Sequence, residues 1–144
     1  MKVAIIGCTK SKKIVPCKAI EMYRPSSLFR KEVEYARRCV KADVIYILSA
    51  KYHLICSETK IAPYNKTLIG APVKERREWA CCCFEQIKRT FSKSDDELVF
   101  LCGKKYYEFL EKEVEKAGYK YCIPIRNIGR IGKQLQWLDK EIAK

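Results

Sequence analysis

The hydrophobic positions along the chain fall into two kinds of pattern. Val3-Ala4-Ile5-Ile6, Val44-Ile45-Tyr46-Ile47-Leu48 and Leu98-Val99-Phe100-Leu101-Cys102 are unbroken apolar runs rich in β-branched and aromatic residues, as expected of strands covered on both faces. Tyr121-Cys122-Ile123-Pro124-Ile125 is a further short run, pushed toward a sheet edge because Pro124 has no N–H for the ladder. Between the runs, apolar residues recur at helical spacing. Phe29, Val33, Ala36 and Val40 form one stripe, and Ala80, Cys83, Phe84, Ile87 and Phe91 form the next. Tyr107, Leu110, Val114 and Ala117 form a third, and Leu135, Leu138 and Ile142, with Trp137 beside them, a fourth. Pro25-Ser26-Ser27 offers a serine N-cap to the first helix, Pro72 to Glu78 opens the second, and Gly118 suits the end of the third.

Strands alternating with helices predict an α/β fold. The expectation is a single three-layer domain over residues 1–144, with a mostly parallel four-stranded sheet and helices on both faces. Residues 16–25 show no period and read as a loop. Ile61-Ala62-Pro63-Tyr64-Asn65 reads as an extended loop, since Pro63 excludes it from a central strand. No repeat, low-complexity segment or linker interrupts the alternation.

Composition narrows the picture further. With 144 residues and 48% hydrophobic content, the chain can bury one good core but not two of ordinary size. Its nine cysteines are odd in number, irregularly spaced and partly set in apolar runs. That usage argues against a disulfide framework and for a reducing, cytoplasmic setting. No apolar run approaches the ~20 residues of a membrane span, and the opening run is short for a signal peptide, so no membrane partner is expected. Consecutive helical residues project about 100° apart, so Cys81, Cys82 and Cys83 cannot readily share one ion. They read as packing residues, and the sequence assigns neither a metal nor a cofactor.

Charge points to the partner. Thirty Lys and Arg against seventeen Asp and Glu leave +13, which favours nucleic acid or a phosphorylated nucleotide ligand. In an open α/β sheet, ligands bind beyond the carboxyl ends of the strands, and three chemically equipped residues, Cys8, Ser49 and Cys102, each follow a strand run. Gly7 leads into the cationic loop Cys8-Thr9-Lys10-Ser11-Lys12-Lys13, which can offer hydroxyls, ammonium groups and backbone N–H to a phosphate. It lacks the glycine spacing of a Walker loop. The second strand ends in Ser49-Ala50-Lys51-Tyr52-His53, which contains the one histidine.

The candidate catalytic residues are therefore Cys8, Ser49 and His53. Lysines beside Cys8 favour its thiolate, and an imidazole titrates near neutrality. Candidate ligand-binding residues are Thr9, Lys10, Ser11, Lys12 and Lys51 for the anion. Tyr23, Tyr52, Pro63, Tyr64 and Thr67 would supply an aromatic face and further walls. A nucleophile elbow, paired Cys-x-x-Cys motifs and a dinucleotide fingerprint are all missing, so no reaction follows from the motifs.

These residues resemble a family of small bacterial and phage proteins described as domains of unknown function, distantly similar to the YaaA peroxide-stress proteins. The pattern is carried by Cys8-Thr9-Lys10-Ser11-Lys12, Tyr23, Ser27-Leu28-Phe29, Ile47-Leu48-Ser49-Ala50-Lys51-Tyr52, Pro63-Tyr64, Thr67 and Trp79, then Gly132 and Trp137-Leu138. The opening loop is also similar to one in the uracil-DNA-glycosylase-like accessory domain of archaeal enzymes that modify 7-deazaguanine in tRNA. Both resemblances imply a nucleic acid or nucleobase partner. The resembled pattern has glycine where His53 stands, so His53 inherits no role from it.

Two classes of function remain. One is an enzyme acting on a nucleobase or modified nucleotide through a basic cleft at the carboxyl ends of the strands. The other is a noncatalytic nucleic-acid-binding module, with a possible place in stress responses. Converging polar groups in a pocket favour the first, a basic face the second.

Overall fold

The computed structural model describes all residues from Met1 to Lys144. Its central strand is β1 (Lys2–Gly7), paired in parallel with β3 (Val44–Ser49) on one side and β6 (Glu97–Leu101) on the other. β7 (Lys120–Cys122) extends the sheet in parallel beyond β6. β4 (His53–Cys56) folds back antiparallel on β3, with Ser49 opposite His53. The order is β4-β3-β1-β6-β7, so the expected four-stranded sheet is corrected to five strands. The missed strand follows a tight turn, and its four residues are too few to show an alternation.

Alternate residues of β1 feed two separate apolar clusters. Val3 and Ile5 join Leu98, Phe100 and the buried faces of α3 (Val73–Thr90) and α4 (Lys104–Ala117). Ala4 and Ile6 join Ile47, Val99 and Leu101 with α1 (Ala19–Met22) and α2 (Ser27–Tyr35). α5 (Ile131–Ala143) lies along α2, where Trp137 meets Tyr35 at 5.3 Å. Burial of β1 on both faces explains its unbroken apolar run.

Local signals act as the sequence suggests at several helix ends. Ser26 Oγ accepts the Phe29 N–H at 3.2 Å, capping α2. Gly118 ends α4 at φ +89°, a left-handed conformation that glycine adopts without steric cost. Other expectations need correction. The first long helix passes into a π-helical turn at Ala36–Val40 before ending at left-handed Lys41. The 16–25 segment holds β2 (Cys17–Lys18) and α1, and β2 pairs antiparallel with β5 (Lys60–Ile61). The last strand stops at Cys122, before Pro124.

The triple cysteine also behaves as helical geometry requires: Cys83 is buried while Cys81 and Cys82 are exposed. All nine cysteines carry free thiols in the structure.

Candidate functional site

The register of the sheet brings the site residues to one edge. Gly7 stands opposite Leu48 and Ile6 opposite Leu101, so β1, β3 and β6 end together. Cys8 continues the ladder by one bond, its N–H donating to the Leu48 carbonyl at 2.9 Å. At this edge the backbones of β1 and β6 are packed tightly. A Cβ placed on Gly7 would lie 2.7 Å from the Cys102 Cβ, so glycine here serves close approach rather than an unusual turn.

A chain of hydroxyls runs across the edge. Ser49 Oγ accepts the N–H groups of Lys51 at 3.2 Å and Tyr52 at 2.9 Å. It donates to the Tyr64 hydroxyl at 2.9 Å, and Tyr64 meets the Tyr23 hydroxyl at 2.7 Å. The Ser49 carbonyl accepts the Trp79 indole N–H at 2.9 Å. Ser49 is wholly buried. With its hydroxyl engaged three times and no access to solvent, it is built to hold the turn and orient Tyr64 rather than to attack a substrate.

Cys8 occupies the neighbouring position and is half-buried. Its Sγ lies 3.4 Å from the Tyr106 hydroxyl, which also receives the Leu68 N–H at 3.5 Å. Nearby, Thr67 Oγ1 accepts the Ile69 N–H at 3.1 Å. Burial raises the phenol pKa values of Tyr23, Tyr64 and Tyr106, so near neutral pH they stay uncharged hydrogen-bonding groups. The thiol is thus bordered by neutral phenols.

The outer layer is aromatic and cationic. Tyr52 and Tyr64 pack edge to face at 5.5 Å, and the Tyr52 hydroxyl donates to the Ala62 carbonyl at 3.3 Å, next to Pro63. Lys12 Nζ sits 4.5 Å from the centre of the Tyr64 ring, and Lys51 Nζ 5.2 Å from that of Tyr52. Burial lowers the Lys12 pKa, while proximity to Cys8 works in the opposite direction. Thr9 Oγ1 donates to the Ser11 carbonyl at 3.1 Å, and Lys10 and Ser11 are exposed.

His53 does not join this group. It opens β4 at φ +64°, a conformation that costs a side-chain-bearing residue, and its imidazole makes no hydrogen bond. Burial and then the charge of Lys66 lower its pKa, leaving the neutral ring favoured.

Two residues of the region escaped the sequence reading. Tyr106 lies in the first turn of α4, just beyond β6, where a strand-end rule would place a site residue. Glu32 is 2% exposed on the sheet-facing side of α2, without a hydrogen bond or ion pair. Burial raises its pKa well above the ordinary carboxyl value, and burial first and then the neighbouring Glu32 carboxyl push up the Cys102 thiol. The signal was present: position 32 falls on the apolar stripe three residues after Phe29.

Comparison with protein families finds one described as a family of unknown function, DUF6884, matching residues 3–140. No curated protein matches the chain. No solved structure matches it either. The family model covers nearly the whole sheet and every site residue described above, and the chain belongs to the DUF6884 family.

Proposed function

We propose that this protein binds a nucleotide or nucleic acid at the carboxyl edge of its sheet, with a base against Tyr52 and Tyr64 and phosphate near Lys10, Lys12 and Lys51. The observation that carries this reading is the pair of lysines set over the two packed tyrosines. Aromatic faces stack any base, worth about 1–3 kcal/mol each, while adjacent cations attract the backbone. The net charge of +13 acts in the same direction. Resemblance of the Cys8 loop and the Ser49 to Tyr52 turn to the YaaA proteins, and of that loop to the glycosylase-like accessory domain, belongs to the same reading, as does a cytoplasmic location.

The test is binding of mononucleotides and of single-stranded and duplex oligonucleotides at low salt. Substituting Lys12, Lys51 or Tyr52 by alanine should weaken binding more than substituting Lys112 and Lys116, and affinity should fall as salt rises. Undetectable binding of every probe would overturn the reading.

A catalytic version is favoured by Cys8 alone, because its half-buried thiol adjoins Lys12 and the neutral phenols. In that version the nucleobase lies over Cys8, and the tyrosines hold its polar edge. Mass spectrometry of nucleotides incubated with the protein would reveal a changed base that disappears with Cys8→Ala. Unchanged nucleotides would leave the binding module.

A further inference from the structure

The exposed surface of α2 carries a second basic feature, outside the edge site. Arg24, Arg30, Arg37 and Arg38 are all exposed and line one groove, whose floor is formed by Ile20, Phe29 and Val33. The π-helical turn at Ala36–Val40 inserts an extra residue into the helical repeat. Both Arg37 and Arg38 thereby border the groove. Two carboxylates also line it, but each is already engaged: Glu21 with Arg24 at 3.5 Å and Glu34 with Arg38 at 2.8 Å. Arg30 donates to the Arg24 carbonyl, and Arg37 makes no ion pair. Guanidinium donors therefore remain available along the groove.

This groove begins where the cationic loop of the edge site ends. Lys13 at the end of that loop donates its N–H to the Met22 carbonyl at 2.8 Å, and its ammonium lies 3.9 Å from Glu21, the partner of Arg24. Tyr23, the inner member of the hydroxyl chain, packs on Phe29 in the groove floor at 5.2 Å. Cationic side chains thus continue from Lys12 through Lys13 and Arg24 to Arg30 and Arg38. From Arg30 to Arg38 the helix rises about 12 Å, longer than one phosphate group.

We infer that the arginine groove along α2 is the backbone track for a single-stranded polynucleotide whose terminal or unstacked base occupies the edge site. The inference rests on the proposed function and sharpens it, since a mononucleotide would fill the edge and leave the groove empty. A single strand suits the site because Tyr52 and Tyr64 can stack only a base freed from a duplex. In the groove floor Ile20, Phe29 and Val33 are buried, Phe29 completely, so no aromatic ring is exposed to stack a base, and the groove's role is charge rather than base recognition.

The experiment compares thymidine monophosphate with oligothymidylates of about 2 to 12 nucleotides, using wild type and the triple variant Arg30→Ala, Arg37→Ala, Arg38→Ala. Wild-type affinity should rise with length and then level off. The triple variant should bind the long oligonucleotides about tenfold more weakly, with a salt slope reduced by about 2, from roughly 0.7 per lost phosphate contact. Its affinity for the mononucleotide should be unchanged. R37E, which breaks no ion pair, repeats the measurement should the triple variant fail to fold. Three outcomes overturn the inference: affinity independent of length, an equal loss in the charge-matched Lys93, Lys112 and Lys116 alanine variant, or equal displacement by polyglutamate. Wild type that binds the mononucleotide but gains nothing from length sinks the groove and leaves the edge site standing, whereas wild type that binds no nucleotide at all sinks the edge site itself.

Discussion

Replacing Glu32 should make the protein more stable. The residue is 2% exposed and its carboxyl has neither a hydrogen-bond partner nor a countercharge, and burying an uncompensated polar group costs about 1–3 kcal/mol in mutational data. Glu32→Leu, which keeps a similar volume, should therefore gain about 1–3 kcal/mol, or roughly 3 °C in Tm for each kcal/mol in a chain of this size. The pH dependence gives the sharper signature. Burial raises the folded-state pKa well above the ordinary glutamate value, so the folded protein retains a proton that the unfolded chain releases. Stability from this group is intact below about pH 4.5 and declines above it by up to about 1.4 kcal/mol per pH unit, until the folded carboxyl ionises. Asp96 and Glu111, whose pKa values are lowered chiefly by hydrogen bonds from the Ser92 backbone and Arg126, act with the opposite sign. Their contribution is lost as pH falls, and it cancels in the difference between wild type and Glu32→Gln. Denaturant midpoints for both proteins from about pH 4.5 to 7 would measure that difference. Parallel curves, or a leucine variant less stable than wild type at neutral pH, would refute the account.

Other expectations follow from single contacts. Gly7→Ala should destabilise by about 1–3 kcal/mol through overpacking against Cys102, and adding Cys102→Gly should recover part of the loss in a double-mutant cycle read by urea denaturation. Tyr64→Phe leaves the Ser49 and Tyr23 hydroxyls without their shared partner and should cost about 1–2 kcal/mol; an unchanged midpoint would remove the hydroxyl chain from the account. His53→Gly relieves a left-handed backbone and should be neutral to stabilising by up to about 1 kcal/mol despite the added freedom of the unfolded chain, with a clear drop in Tm as the contrary result. Nucleotide affinity should weaken as pH rises through the lowered Lys12 pKa, and Lys12→Met should flatten that profile in fluorescence titrations.

The central strands were legible because burial on both faces leaves an unbroken apolar run, as in Val3 to Ile6. β4 was not, since His53 and its neighbours continue a polar turn and only Leu54 is buried. The two-residue strands β2 and β5 arise from tertiary pairing and carry no periodicity of their own. Pro124 correctly marked the edge, but its missing N–H ended β7 earlier than the apolar run suggests. Strand ends placed Cys8 and Ser49 at one sheet edge, but residue type alone did not reveal that three partners occupy the Ser49 hydroxyl. Lys10 and Ser11 meet Lys12 and Thr9 only through their carbonyls, and their side chains are exposed; loop sequence gives charge without direction. Tyr106, just past a strand end, and Glu32, on the apolar stripe of its helix, both left a signal in the sequence, but their partners depend on which helix face meets the sheet.

The position of β1 governs the order in which the molecule can be completed during synthesis. This strand leaves the ribosome before both partners, yet Val3 pairs with Val44 on one side and Leu98 on the other. After β3 emerges, one flank of Val3-Ala4-Ile5-Ile6 can close, with β4 following by a local hairpin. The other flank waits for nearly fifty further residues, at synthesis rates of about 5–20 residues per second. For that interval the nascent chain presents an apolar strand with an open ladder, the surface that chaperones shield and that neighbouring chains can capture. Production at high expression is therefore expected to be limited by events before β6 appears, and slowing translation between β3 and β6 should lower the soluble yield more than slowing it after β7.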